Sequence, residues 1–472
     1  MRVANRILQE LFGELDRQGV GYCLLRGFDE LVELRSVQEV DLLVCPEDRW
    51  LFIQVASSLG FRDWPAWGHA PHRFFLFYDA TEDSWVKLDM VTTLRYGAPI
   101  RCLEVDLANT CLLRRRRDGP IWIPSPEDEM LALLLHCILD KKCFREAHRA
   151  RLATLWLEVR GAPDRYLRLV YLLELHLGAY ARSVIEIALA SGDWQSMQEL
   201  REDLARAFFQ RRPAQAAWRL LTTWCLRRLR RLLFLTRRHA VGTVLLAPDG
   251  GGKSTLATAL AHDPFLRARV VYMGANHAEA RAMHLPLSAW LQRQVRAGGP
   301  FPRRQGIGLV YTIHRLLEEW ARLGIGEVQR VQGRFVVYDR YWYDTYLSPR
   351  AGSWRLRLRR WLLARTTRVP DLVLLLDAPG DVLHARKGEH TPEFLEAQRQ
   401  VLHSVVSRVP QSVTLDATRG ADAVRRMAVA LIWRRYCGAG TGSGDDVTEG
   451  ENALLSGENR AAANRPLKGA AG

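Results

Sequence analysis

The residues between Val241 and Leu256, VGTVLLAPDGGGKSTL, have the types and the order needed to hold a phosphate group. Val244 to Ala247 is an apolar run of strand type. Gly250, Gly251 and Gly252 then let the backbone fold back so that its N–H groups converge on phosphate oxygens. Lys253, Ser254 and Thr255 open a helix, whose N-terminus adds unpaired donors and partial positive charge. Lys253 is placed to reach the β- and γ-phosphates of ATP, and the Ser254 hydroxyl to ligate Mg²⁺. Ala247 stands at the first position of the pattern G-x-x-x-x-G-K-[ST], where it still allows a close strand-to-loop turn.

Such a loop needs a strand before it and a helix after it, within a sheet that presents strand ends together. The region from 241 to 437 alternates accordingly. Strands are expected at Arg269 to Met273, Phe335 to Tyr338, Leu372 to Leu376 and Ser412 to Leu415. Helices are expected near 284–294, 308–322, 353–367, 379–386, 392–406 and 421–436. The suggestive residues follow strand ends, where an open parallel sheet binds its ligands. Asp339 could hold Mg²⁺ through water or orient an acceptor, and Arg340 could bind an acceptor phosphate with its planar fork. Asp344 follows one step on, and Arg386 and Lys387 close a helix just before Gly388.

This series resembles the thymidylate kinase family of P-loop nucleoside monophosphate kinases. PDGGGKST is similar to the family's phosphate loop, VVYDRY to its D-R motif, PDLVLLLDAP to the following strand, ARKGE to the start of its lid, and VTLDAT to its closing strand. The resemblance implies that Lys253 and Ser254 bind ATP phosphates and Mg²⁺, that Thr255 reaches the α-phosphate, that Asp249 and Arg340 face the acceptor, and that Arg386 serves the lid. WYDTYLSPR departs from the family where hydroxyls that recognise the base are expected. The long basic segment from Met273 to Tyr311 has no clear match to the family's phosphate-acceptor arginine, for which Arg281 and Arg315 are the candidates. The acceptor therefore stays open.

Residues 1–120 carry a second set of candidates. Ile7, Leu8, Leu11, Phe12 and Leu15 recur at helical spacing, followed by short strands at Tyr22 to Leu25 and Val40 to Val44. Alternation puts Glu39 and Asp41 on one strand face, and Asp89 lies in a later strand. Three carboxylates on neighbouring strands form an arrangement that holds Mg²⁺ for nucleotidyl transfer. The segment resembles the nucleotidyltransferase superfamily, departing from it at Phe28, where serine is common, and at Glu39, where aspartate is usual. An acidic pair on a solvated strand edge is the plainer reading. His72 and Arg73 could touch a phosphate or simply lie at the surface.

Residues 121–240 read as a helical module and a basic connector. Ser125 can cap a helix with Pro126 at its first position, and further helices are expected over Tyr166 to Ala190 and Trp194 to Phe209. His136 and Cys137 lack partner ligands at a metal-binding spacing. From 214 to 239, Trp218, Leu221, Cys225, Leu229 and Leu232 form an apolar stripe among arginines. This helix suits either a connector packed on protein or an anionic bilayer surface. Residues 438–472, rich in small and polar types, read as a disordered tail.

The fold class expected is thus α/β, with a P-loop parallel-sheet kinase domain preceded by an α+β nucleotidyltransferase-like domain and a helical module. A length of 472 residues, 48% apolar and 25% charged, gives room for roughly three globular domains. The net charge of +15, almost all arginine excess, suits nucleotides, nucleic acid or an acidic membrane without choosing among them. Eight scattered cysteines without a C-x-x-C pair suit reduced thiols, and the lack of an apolar leader or spanning run leads us to expect a cytoplasmic protein. Phosphoryl transfer from ATP to a nucleoside monophosphate or another small acceptor is the leading expectation. Nucleotidyl transfer through Glu39, Asp41 and Asp89, or a non-catalytic ATP-binding scaffold, is the alternative, and a homodimer is left open.

Overall fold

The computed structural model describes residues 4–27, 31–233, 240–274, 290–291, 293–294, 303–348 and 352–438. Phe28, Arg237, Arg238, Arg281, most of the helix expected near 284–294 and the tail from 439 onward lie outside the described residues.

The first helix, Arg6–Arg17, is capped by the Asn5 side chain, which accepts from the N–H groups of Ile7 and Leu8. Its apolar stripe is buried, as its spacing predicts. Strands β1 (Tyr22–Arg26), β2 (Val37–Val44), β3 (Arg62–Trp64), β4 (Arg73–Asp79) and β5 (Ser84–Val91) form one sheet in the order β1-β2-β5-β4-β3. Only β2 and β5 run parallel; the other neighbours are antiparallel. Two small hairpins follow, β6 (Leu94–Tyr96) with β7 (Leu103–Val105) and β8 (Arg116–Asp118) with β9 (Ile121–Ile123).

In the helical module the Ser125 hydroxyl accepts from Asp128 N–H and Pro126 opens the helix Pro126–Leu135, as expected. The stretch expected as one helix from 166 to 190 is two, Pro163–Leu177 and Ala179–Ser191, because Gly178 between them sits at a φ of 89°. The apolar period carries across that break and hides it. The stretch 194–209 likewise divides into Trp194–Glu199 and Arg201–Arg211.

The C-terminal sheet has five strands, β10 (Gly242–Leu246), β11 (Arg269–Tyr272), β12 (Val336–Asp339), β13 (Leu372–Asp377) and β14 (Ser412–Asp416), ordered β11-β12-β10-β13-β14. All neighbouring pairs are parallel. Every residue of β10 is buried, as a central strand covered on both faces should be. The helix before β12 runs from Arg303 to Val331, longer than expected, and buries charged residues beside the apolar Leu316 and Leu323. Arg315, Glu318, Glu319, Arg322 and Arg330 are buried, while Val310, Ile313, Leu317, Ile325 and Val328 are exposed. The buried charges pair: Arg315 with Glu318 at 2.7 Å, Arg330 with Asp371 at 2.7 Å, and Glu319 with Arg359 of the neighbouring helix. Burial of charge is tolerated only with such partners.

The two sheets share a core. Trp85 of β5 is 2% exposed and packs edge-on against Trp433 of the last helix, Ala421–Gly438, at 5.0 Å between centroids. It also meets Tyr78 at 4.8 Å and Phe265 at 5.2 Å, and its indole N–H donates to Asp263 across 3.2 Å. An Asp83–Arg425 ion pair flanks this contact. Truncation of so large a buried ring leaves a cavity and strips Asp263 of a donor. Trp85→Ala is therefore expected to lower unfolding free energy by about 3–5 kcal/mol in urea melts. A loss below about 1 kcal/mol would show that the sheets do not depend on this contact.

Candidate functional site

The glycine-rich loop leaves the C-terminal end of β10, between β12 and β13, and leads into the helix Lys253–His262. Gly250 and Gly252 adopt φ of 87° and 86°, which side chains rarely tolerate. A Cβ on Gly250 would stand 2.7 Å from the Leu383 carbonyl oxygen, and one on Gly251 would stand 2.5 Å from the Ala247 Cβ. The alanine at the first motif position thus packs where Gly251 leaves room for it. Beyond Gly252 the space is open, and Ser254 and Thr255 are exposed in the first helical turn. Lys253 is buried, and its Nζ donates to the carbonyls of Ala247 at 2.5 Å and Pro248 at 3.1 Å. Burial pushes its ammonium pKa down, and the nearby carboxylate of Asp344 counters that shift most strongly.

Asp339 ends β12 and is itself buried. Arg340 turns at a φ of 62° and donates to Asp249 Oδ1 across 3.2 Å. Its guanidinium is desolvated, yet Tyr272, Asp249, Asp344 and Asp339 outweigh that cost and hold its pKa up. Backbone strain of this kind clusters where function requires a side chain in one place. Lys253, Asp249, Asp339 and Arg340, distant in sequence, thereby form one charged cluster at the strand ends. His390 joins it at 3.8 Å from Asp249 Oδ2.

Two members were not legible in advance. Asp344 stood out only as a departure from a motif, yet it lies half-buried in the short helix Trp342–Leu347, and burial raises its pKa to about 6. His390 gave no signal beyond following the lid-like residues. Arg386 is engaged elsewhere: in the helix Gly380–Lys387 it donates to the Ala417 carbonyl at 2.8 Å. Arg315 lies in the buried charge network, with its guanidinium 3.5 Å from the Met273 carbonyl.

In the N-terminal sheet, Asp41 and Asp89 are directly opposed across the parallel β2–β5 pair, and Glu39 faces Lys87 in the same register. Each acid has a basic partner. Arg26 donates to Asp41 at 2.8 and 3.0 Å, His72 Nδ1 lies 2.6 Å from Asp89, and Lys87 lies 3.1 Å from Glu39. Burial alone would raise the Asp41 pKa, but the Arg26 charge and hydrogen bonds bring it below the ordinary value. Among the described residues no three His, Cys, Asp or Glu side chains gather as a cation site. His72 could have been read as their partner only with the register in hand. His136, read as a structural histidine, is buried, and its Nδ1 is 3.3 Å from Asp140; burial lowers its pKa to about 4.

The Asp344 shift has a defined sign. Its acid form is favoured in the folded protein, so stability falls as pH rises from 3.8, the ordinary value, to about 6, and is level above that. Asp344→Asn removes this penalty. The variant is expected to unfold at higher denaturant than the parent at about pH 8 and to match it below about pH 4. An equal difference at both pH values would show that Asp344 titrates normally.

No protein-family model matches the chain. No curated protein matches it either. Among solved structures, the thymidylate kinase of Candida albicans is similar over 42% of this chain and 94% of that chain, with 16% identity and a TM-score of 0.33. A likeness that distant does not assign a family, and the α/β character of the C-terminal part stands on its own five parallel strands.

Proposed function

We propose that residues 241–437 are an ATP-dependent phosphotransferase of the thymidylate kinase-like type, moving the γ-phosphoryl group to a nucleoside monophosphate or another small acceptor. The observation that carries this reading is the seating of Lys253 under a glycine loop at the central strand end, facing the Asp249–Arg340 pair and Asp339. The loop meets the steric requirement of a phosphate cradle, since Cβ atoms at Gly250 and Gly251 would collide while the side beyond Gly252 is open.

In this reading the N–H groups from Gly250 to Thr255 and the Lys253 ammonium bind the ATP phosphates. Lys253 exchanges its two carbonyl partners for phosphate oxygens. The Ser254 hydroxyl and Asp339 hold Mg²⁺, which neutralises phosphate charge when bound. Arg340, fixed by Asp249, orients the acceptor and screens charge on the transferring group, and Arg386 joins it from the lid helix only by giving up its bond to the Ala417 carbonyl. Catalysis by such a site is positioning and electrostatics, with no covalent intermediate on the protein.

Labelled ATP, Mg²⁺ and a panel of nucleoside monophosphates and sugars test the proposal. Lys253→Ala is expected to lower turnover by about 10²–10³-fold, the usual cost of losing one preorganised charge-stabilising group. Unchanged turnover in that variant would sink the assignment. Release of pyrophosphate that is abolished by Asp41→Asn would move the chemistry to the N-terminal sheet. Tight ATP binding with no turnover across the panel would make the protein a scaffold.

A further inference from the structure

The helix Pro213–Leu233 connects the helical module to the parallel sheet, and the only charged residues in its sequence are Arg219, Arg227, Arg228, Arg230 and Arg231. Its attachment to the body is the reverse of what an apolar stripe suggests. Arg219 reaches Glu104 Oε2 at 2.5 Å, and Arg227 donates to the carbonyls of Gly68 at 2.8 Å and Pro99 at 2.7 Å. Ala216 and Thr223 are buried on that same side. With 3.6 residues per turn, the stripe is left on the opposite side. Trp218 is 66% exposed, Leu221 53%, Trp224 52% and Leu232 60%. Arg228 lies within this outward face, its guanidinium over the Trp224 ring at 5.3 Å.

We propose that this face docks on an anionic lipid surface. Indole rings and leucines projecting from a helix without a single carboxylate match the interfacial zone of a bilayer, where tryptophan concentrates and basic residues meet acidic headgroups. Arg228 can lay its stem along the apolar surface and keep its charge at headgroup level. A second copy fits less well, because two such helices face to face would bring arginines together with no carboxylate on either one. Nucleic acid fits less well too, because the outward face is mainly indole and leucine, and a polyphosphate backbone offers leucine nothing apolar to enter. No helix among the described residues is long and apolar enough to cross a membrane, and the proposed contact lies along the surface.

The full chain, sedimented with vesicles of phosphatidylcholine alone or mixed with phosphatidylglycerol, tests the proposal. The protein should pellet with the mixed vesicles at low salt, and about 0.5 M salt should release much of it by screening. The W218S/W224S variant should partition about tenfold or more weakly. Both tryptophans are half-exposed or more, and an unchanged thermal melt would confirm that the variant is folded. Equal pelleting of variant and parent, or equal partition onto neutral and anionic vesicles, would overturn the proposal. So would sedimentation velocity showing that the variant dissolves a parent dimer, or a polynucleotide displacing the vesicles from this helix.

Discussion

The backbone of the loop after β10 has to pass within van der Waals distance of the helix Gly380–Lys387, and that close approach organises the rest of the C-terminal part. The Leu383 carbonyl stands where a Cβ on residue 250 would be, and Ala247 fills the corresponding space beneath Gly251. Only a loop without side chains can turn there. Its turn in turn sets the axis of the helix Lys253–His262 and places the Lys253 amine beneath the loop carbonyls. The parallel sheet serves this constraint by putting β10 in the middle, so that β12 and β13 deliver their own C-terminal residues on either side.

Charge is then arranged around a desolvated cation. Lys253 and Arg340 are both partly stripped of water, and Asp249, Asp339 and Asp344 compensate them. Burial of Asp344 outweighs the pull of Lys253 and Arg340, which is why it keeps its proton to a higher pH than an ordinary aspartate. The helix Arg303–Val331 applies the same principle to structure: its arginines and glutamates point inward and neutralise one another. The pattern sets ion pairs beside the apolar packing of Leu316 and Leu323, and ties that helix to the segment just after β11, where Arg322 donates to the Gly274 carbonyl at 2.9 Å.

The N-terminal sheet shows the opposite use of similar residues. Asp41 and Asp89 are opposed in register, yet Arg26 and His72 already answer them, and Glu39 faces Lys87. What this sheet does for the fold is plainer: its β3–β5 edge supplies Trp64, Tyr78 and Trp85 to the aromatic cluster around Trp433. That contact joins the two sheets across more than three hundred residues of chain in one core.

The amino-acid sequence by itself determined the features whose causes are local. The glycines and Lys253 specify a strand, a turn and a helix start because backbone freedom and helix-end donors are properties of neighbouring residues. Apolar runs located β10, β12 and β13 to within two residues, since strands buried on both faces need continuous apolar sequence. Ser125 and Pro126 fixed a helix start by the same local logic. The tertiary structure alone decided which charges meet. Nothing within reach of Asp41 or Asp89 along the chain announces Arg26 or His72, the outward stripe of Pro213–Leu233 contradicts the rule that apolar faces turn inward, and Arg303–Val331 buries ion pairs beside Leu316 and Leu323. Periodicity reveals that a helix has two faces. Which face is buried depends on partners that arrive from elsewhere in the fold, and for these two helices the partners are arginines bound to carboxylates and carbonyls.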